Sequence, residues 1–244
     1  MIRFLLLSLL LVSPALATTE ISRPFEQAAA AYEQRDFEQA SALYRELLHA
    51  GHHSPELWFN LGNVSYRQNK LGEAILHYRR AWTLAPRDGD IEANLRFALQ
   101  AAGHTPPSLN RLQTILHHYT LREWTHLMIA AYWLAAALGI AALLIPSQRR
   151  ILARLAVLSL LVSLLGLAGR SGWQSWAAHR EAIVTAPDTR ALFAPYPEAT
   201  PAFTLPVGTF LHILEENNDW LRVRSGPDSG WIPRSAAPQV YPWK

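Results

Sequence analysis

The stretch "PELWFNLGNVSYRQNKLGEAILHYRRAWTLAP", Pro55 to Pro86, reads as two antiparallel helices joined by a short polar turn. Ser54 stands where an N-cap belongs, Pro55 occupies the first turn, and Pro86 helps end the second helix. Small residues at Gly62 and Ala74 let the helices approach, while Trp58, Leu61 and Tyr78 fill the space between neighbours. A step of about 34 residues back finds a weaker copy, with Ala40 matching Ala74, Tyr44 matching Tyr78 and Ala28 in place of Gly62. The same step forward finds a single helix, about Gly89 to Ala102, with Leu95 in register with Leu61. Each such unit relies on its neighbours to bury its apolar face, so this array is near the lower limit for independent stability.

Trp58, Leu61, Gly62, Ala74, Tyr78, Ala81 and Pro86 fall at the spacing of the tetratricopeptide repeat, which the segment resembles. The resemblance implies a concave groove lined by the first helix of each repeat. Carried onto this chain it presents Phe25, Ala29 and Tyr32, then Glu56, Phe59, Asn63, Tyr66 and Arg67, then Asp90, Ala93 and Phe97, a mixed aromatic and polar surface for protein or peptide partners. Relatives that bind chaperones hold a C-terminal carboxylate with a basic clamp. Phe25, Ala29 and Asp90 stand where that clamp wants lysine and asparagine, which argues against carboxylate capture.

The rest of the chain alternates between polar and very apolar stretches. Arg3, the run Phe4 to Val12, Pro14 and Ala15-Leu16-Ala17 have the three parts of a secretory signal peptide, expected to be cleaved after Ala17. That run rises only about 14 Å as a helix, too short for a hydrocarbon core of roughly 30 Å. Thr120 and Glu123 form a capping box ahead of the uncharged run Leu127 to Ile145, and a second run, Ile151 to Ala168, is interrupted only by Arg154. The short link Pro146 to Arg150 makes the two a hairpin. Arg149, Arg150 and Arg154 favour a cytoplasmic link, and an exported N-terminus requires the same arrangement. Trp124, Trp173 and Trp176 fall at the opposite, outer interface, as an aromatic belt would. Neither run carries a charge near its middle, which argues against transport. Between repeats and hairpin, Leu109, Leu112, Leu116 and Tyr119 follow Pro106-Pro107 at helical spacing; a helix there lies on the outer leaflet or docks on the repeats.

After Arg180 the apolar period falls to two. Thr209 to Glu216 and Trp220 to Arg224 alternate, with Leu211, Ile213, Leu221 and Val223 on one face and Asn217-Asn218-Asp219 as the turn. The segment "TLPVGTFLHILEENNDWLRVRSGPDSGWIP" resembles the bacterial SH3-like domain over roughly Ala182 to Ala237. The resemblance implies a small all-β barrel with a peptide or cell-wall ligand, Trp220 and Trp231 being the surface candidates beside their role in packing.

Net charge is only +3 and no window concentrates basic residues, which argues against nucleic acid. Cysteine is absent, removing disulfides, thiolate metal sites and thiol nucleophiles. Adjacent histidines on a helix point about 100° apart, and neither His52-His53 nor His117-His118 finds a closed set of ligands at helical spacing; no nucleophile, phosphate-loop or dinucleotide motif is present either, so no metal, cofactor or enzymatic activity is expected. The expected organisation is a signal peptide (1–17), repeats with a closing helix (18–103), a linker or interfacial helix (104–124), spans at 125–146 and 151–169 around a loop at 147–150, a linker (170–181) and the barrel (182–244). This order is similar to that of the BatE family of bacterial aerotolerance operons. The likeness implies a scaffold in the bacterial inner membrane with both soluble parts periplasmic, partnered by membrane proteins carrying von Willebrand A-type domains, with a role in envelope or oxidative-stress tolerance. Two rivals are a peptidoglycan-binding module and a cytochrome c assembly factor.

Overall fold

The fold is described by a computed structural model in which residues 15–105, 111, 116, 118–174 and 180–241 are placed; most of the expected leader, Trp176, and much of the segment before Thr120 lie outside these. The chain divides into two compact units, residues 1–53 and 54–244. The first contains α1 (Ala15–Glu33) and α2 (Phe37–His49), an antiparallel pair. Asp36 caps α2, accepting a hydrogen bond from the Gln39 amide at 3.0 Å. Ala28, Ala40 and Tyr44, the residues that mark the weaker repeat, are all buried, and Phe25 meets Tyr44 edge-to-face at 5.5 Å.

The second unit opens with α3 (Pro55–Arg67), α4 (Leu71–Leu84) and α5 (Gly89–Ala101). Ser54 caps α3 through the Leu57 amide and Asp88 caps α5 through the Asp90 and Ile91 amides. The close approach of α3 and α4 depends on Gly62. A Cβ there would stand 2.5 Å from the ring of fully buried Tyr78, whose hydroxyl donates to Asn63 Oδ1 at 2.8 Å.

Two 24-residue helices follow, α6 (Leu121–Leu144) and α7 (Arg149–Gly172), linked by a 3-10 turn over Pro146–Gln148. The Thr120–Glu123 capping box starts α6 with both reciprocal bonds formed. Both helices are long and apolar enough to cross a membrane, and most of each is exposed. They meet through small residues: Gly166 lies against the Met128 backbone and Gly169 under the Trp124 ring. Ser159 and Ser163 donate across the pair to the Ala131 and Met128 carbonyls, each at 2.8 Å. Loss of either bond in Ser159→Ala or Ser163→Ala is expected to loosen the hairpin by about 0.6 kcal/mol, read by unfolding in detergent of graded strength.

The C-terminal part is a six-stranded antiparallel sheet: β1 (Glu181–Ile183), β2 (Thr189–Leu192), β3 (Pro201–Leu205), β4 (Phe210–Asn217), β5 (Trp220–Ser225) and β6 (Asp228–Pro233), in the order β1-β4-β5-β6-β2-β3. Asn217 pairs with Trp220, so the β4–β5 turn is two residues, Asn218-Asp219, with Asn218 at φ 50°. Ala182 from one edge strand and Leu205 from the other share one core with Leu211, Ile213, Leu221, Val223 and Ile232, so the sheet curls around a single interior.

Candidate functional site

The helix α4 is buried on two sides. Ala74, Tyr78 and Ala81 occupy one stripe, of which Tyr78 packs against Gly62 of α3. The opposite stripe, Gly72, Ile75 and Arg79, faces the β domain, and these positions are spaced as one helical face. Gly72 lies against the Val184 carbonyl and Thr185, and Ile75 reaches Gly208, whose φ of 86° needs glycine. Ile75, Leu99, Ile183 and Val240 belong to one apolar cluster against which Phe59 and Phe210 pack, so the last repeat and the β domain share a core.

Two arginines seal this contact. Arg79 is buried and makes a bidentate pair with Glu181, Nε to Oε1 at 2.9 Å and Nη2 to Oε2 at 2.8 Å. Its guanidinium also lies 4.4 Å from the centre of the Trp82 ring. Arg80 donates to the Gln239 carbonyl at 2.7 Å and lies 4.7 Å from the Trp58 ring centre. Burial lowers its pKa to about 10, and its Nε has no hydrogen-bond partner among the described residues. Beyond them, His104 Nε2–H donates to the Val207 carbonyl at 2.7 Å and ties the end of α5 to the loop before β4.

The turn after α4 and the end of the β domain also meet the same end of the hairpin. Leu116, Trp124 and Trp173 form a buried cluster, and Tyr241 stacks edge-to-face on Trp173 at 5.4 Å. Arg87, just past α4, pairs with Glu123 of the capping box and donates to the His118 carbonyl at 3.1 Å. The described part of the segment before α6 thus packs on the mouth of the hairpin, next to the repeat.

Of the residues expected to line the groove, Phe25 and Tyr32 lie in the first unit, both half-buried, with Tyr32 in edge contact with Phe37. In the second unit Phe59 packs on Tyr78 at 5.8 Å and Asn63 holds the Tyr78 hydroxyl, so both are engaged in joining α3 to α4. Glu56, Tyr66, Arg67, Asp90 and Phe97 are exposed, Phe97 at 63%. Within the second unit the structure therefore divides the expected set into a structural pair, Phe59 and Asn63, and an exposed group.

In the sheet, Leu221 and Val223 point to the core, so Trp220 points away and lines a cleft of about 880 Å3 with Pro187, Asp188, Arg190, Pro197 and Arg234. Trp231 is half-buried, in register with Leu192 and Arg222, and is not part of that cleft. Among the described residues no group of three histidine or acidic side chains is placed to hold a metal ion.

The family model for the tetratricopeptide repeat matches residues 25–89. No curated protein matches the chain.

Proposed function

We propose that the chain is a membrane-anchored scaffold that holds protein partners on its repeats and uses the β domain to brace them. The repeats suggest protein–protein interaction. The observation that carries the reading is the β domain seated on the Gly72–Ile75–Arg79 stripe of α4, which leaves Tyr66 and Phe97 uncovered. Exposed aromatics on helices that also expose Arg67 and Asp90 fit a protein surface better than a small ligand, since aromatic and arginine side chains dominate binding energy at interfaces. We assign the scaffold no reaction and no cofactor.

The two apolar helices are read as spans, with 149–154 cytoplasmic and both soluble parts periplasmic in a bacterial inner membrane. Contact between α4 and β1 supports the two crossings and not their direction, because parts joined by a shared core must occupy one side and a chain that crosses twice returns them there. An enzyme tag that works only after export is expected to be inactive when inserted at Gln148 and active when fused after Lys244; the reverse pattern removes the assignment.

In this reading the partners are membrane proteins with von Willebrand A-type domains, as the similarity to BatE proteins implies, in envelope or oxidative-stress tolerance. A photo-crosslinking amino acid at Phe97 or Tyr66, activated in native membranes, is expected to capture such a protein. Capture of other proteins alone rejects that partner class. The cleft beside Trp220 favours a second reading, an SH3-like domain that holds a cell-wall fragment. Retention of the chain on purified sacculi, lost in Trp220→Ala, supports that rival.

A further inference from the structure

We propose that the face of α6 carrying Tyr132 and Trp133 pairs with the same face of a second copy of this chain inside the bilayer; the inference rests on reading α6 and α7 as spans. Trp124, Ala131 and Ala142 are buried, and with Met128 they form the side of α6 packed on α7. At about 100° per residue, the direction midway between Tyr132 and Trp133 lies roughly 130° around the helix from that side. Ile129, Ile140 and Leu143 share this direction and are exposed, with Tyr132 at 54% and Trp133 at 66%. Within the described residues nothing covers the face.

Its position makes the exposure chemically unusual. Tyrosine and tryptophan belong at the headgroup level, where the polar tip is wet, and Trp124 and Trp173 already occupy one end of the hairpin. Tyr132 lies eight residues beyond Trp124, about 12 Å deeper along the helix. There the Tyr132 and Trp133 rings touch only each other, edge-to-face at 5.7 Å, and neither the hydroxyl nor the indole N–H has a hydrogen bond within the described residues. Hydrocarbon supplies no partner, so a hydroxyl and an N–H left bare at this depth are strongly unfavourable.

A second copy supplies the missing partner without further assumption. Copies inserted by the same signals share one orientation, so a two-fold axis along the membrane normal sets identical residues at the same depth. In such a pair residue i of one helix meets j of the other and j meets i. The indole of Trp133 is a donor only and the Tyr132 hydroxyl is also an acceptor, so each Trp133 N–H faces a Tyr132 oxygen across the axis, twice by symmetry. Ala136, one turn along on the same face, lets the backbones approach, and Ile129, Ala136 and Leu143 recur at the seven-residue spacing of a packed seam.

The chain has no cysteine, so single cysteines test this directly in the full-length protein in its native membrane. With a membrane-permeant oxidant, Ala136→Cys and Leu143→Cys are expected to give covalent dimers of twice the chain mass. Leu134→Cys, exposed to lipid on another face, is expected to give about tenfold less. Adding Tyr132→Phe and Trp133→Phe to Ala136→Cys is expected to lower the crosslinked fraction roughly tenfold on dilution with lipid, at the scale of two intramembrane hydrogen bonds. Crosslinking at Ala136→Cys no stronger than at Leu134→Cys, or only to a species of different mass, overturns the proposal if the chain resists alkaline extraction. If alkaline washing strips the chain from the membrane, the span reading itself fails and the pairing falls with it.

Discussion

Replacing Arg79 with methionine is expected to cost the second unit about 3–5 kcal/mol of unfolding free energy, because it strands the Glu181 carboxylate against apolar packing. The side chains of Arg79 and Glu181 are only 8% and 17% exposed, so water does little to compensate either one left alone. Removing both charges has a different effect. Arg79→Met with Glu181→Met leaves no buried ion, and swapping an ion pair for apolar side chains of similar size is often neutral or better. The double variant is expected to recover most of the loss, short by about 0.5–1 kcal/mol for the contact between the guanidinium and Trp82. Denaturant titration of the full chain in detergent, followed by tryptophan fluorescence, reads both. If the double variant is as unstable as the single one, the pair does not act as a pair and the docking of β1 on α4 has another cause.

The helix pairs, the caps at Ser54 and Thr120, the hairpin and the shared apolar face of β4 and β5 were legible because each rests on local chemistry; the register shift between Ile213 and Glu215 was not. Ser54, Thr120 with Glu123, and Asn218-Asp219 announce ends and turns within four residues of the structure they fix. The β domain's seat on the repeat was not legible, since Arg79 and Glu181 are 102 residues apart and neither carries a local signature. A weaker signal did exist. In "LGEAILHYRRAWTL" the residues Ile75 and Trp82 lie off the stripe of Ala74, Tyr78 and Ala81, so the apolar face is too wide for one neighbouring helix. Helix α4 needed a second partner. The groove set met the opposite difficulty: spacing places Phe59 and Asn63 on the first helix of the repeat, but it does not reveal that Tyr78 engages both.

Gly72→Ala is the second decisive substitution, and its sign depends on which of two opposed effects is larger. Glycine in a helix interior is less favourable than alanine by about 0.8–1.0 kcal/mol, and the part of this that applies in the first turn, where Gly72 lies, by itself makes the change stabilising. Against this, the added methyl would stand 2.7 Å from the Val184 carbonyl oxygen and 2.8 Å from the Thr185 Cα. Those are backbone atoms, with no rotamer by which to retreat, and Val184 is itself fully buried in the core of the sheet. The overpacking is expected to dominate, for a net loss of about 1–3 kcal/mol, and Gly72→Val to lose more. Because the clash sits at the contact rather than inside either part, the loss should take a particular form. The β domain should leave α4 while the sheet stays intact, and Arg79 and Arg80, otherwise held by Glu181 and the Gln239 carbonyl, should become sensitive to trypsin. Gly89→Ala is the matched control: it also lies in the first turn of a helix, and its added methyl meets nothing within 4 Å. That variant is expected to be neutral or slightly stabilising. Equal cleavage of the two variants would mean that the close approach at Gly72 does not hold the β domain in place.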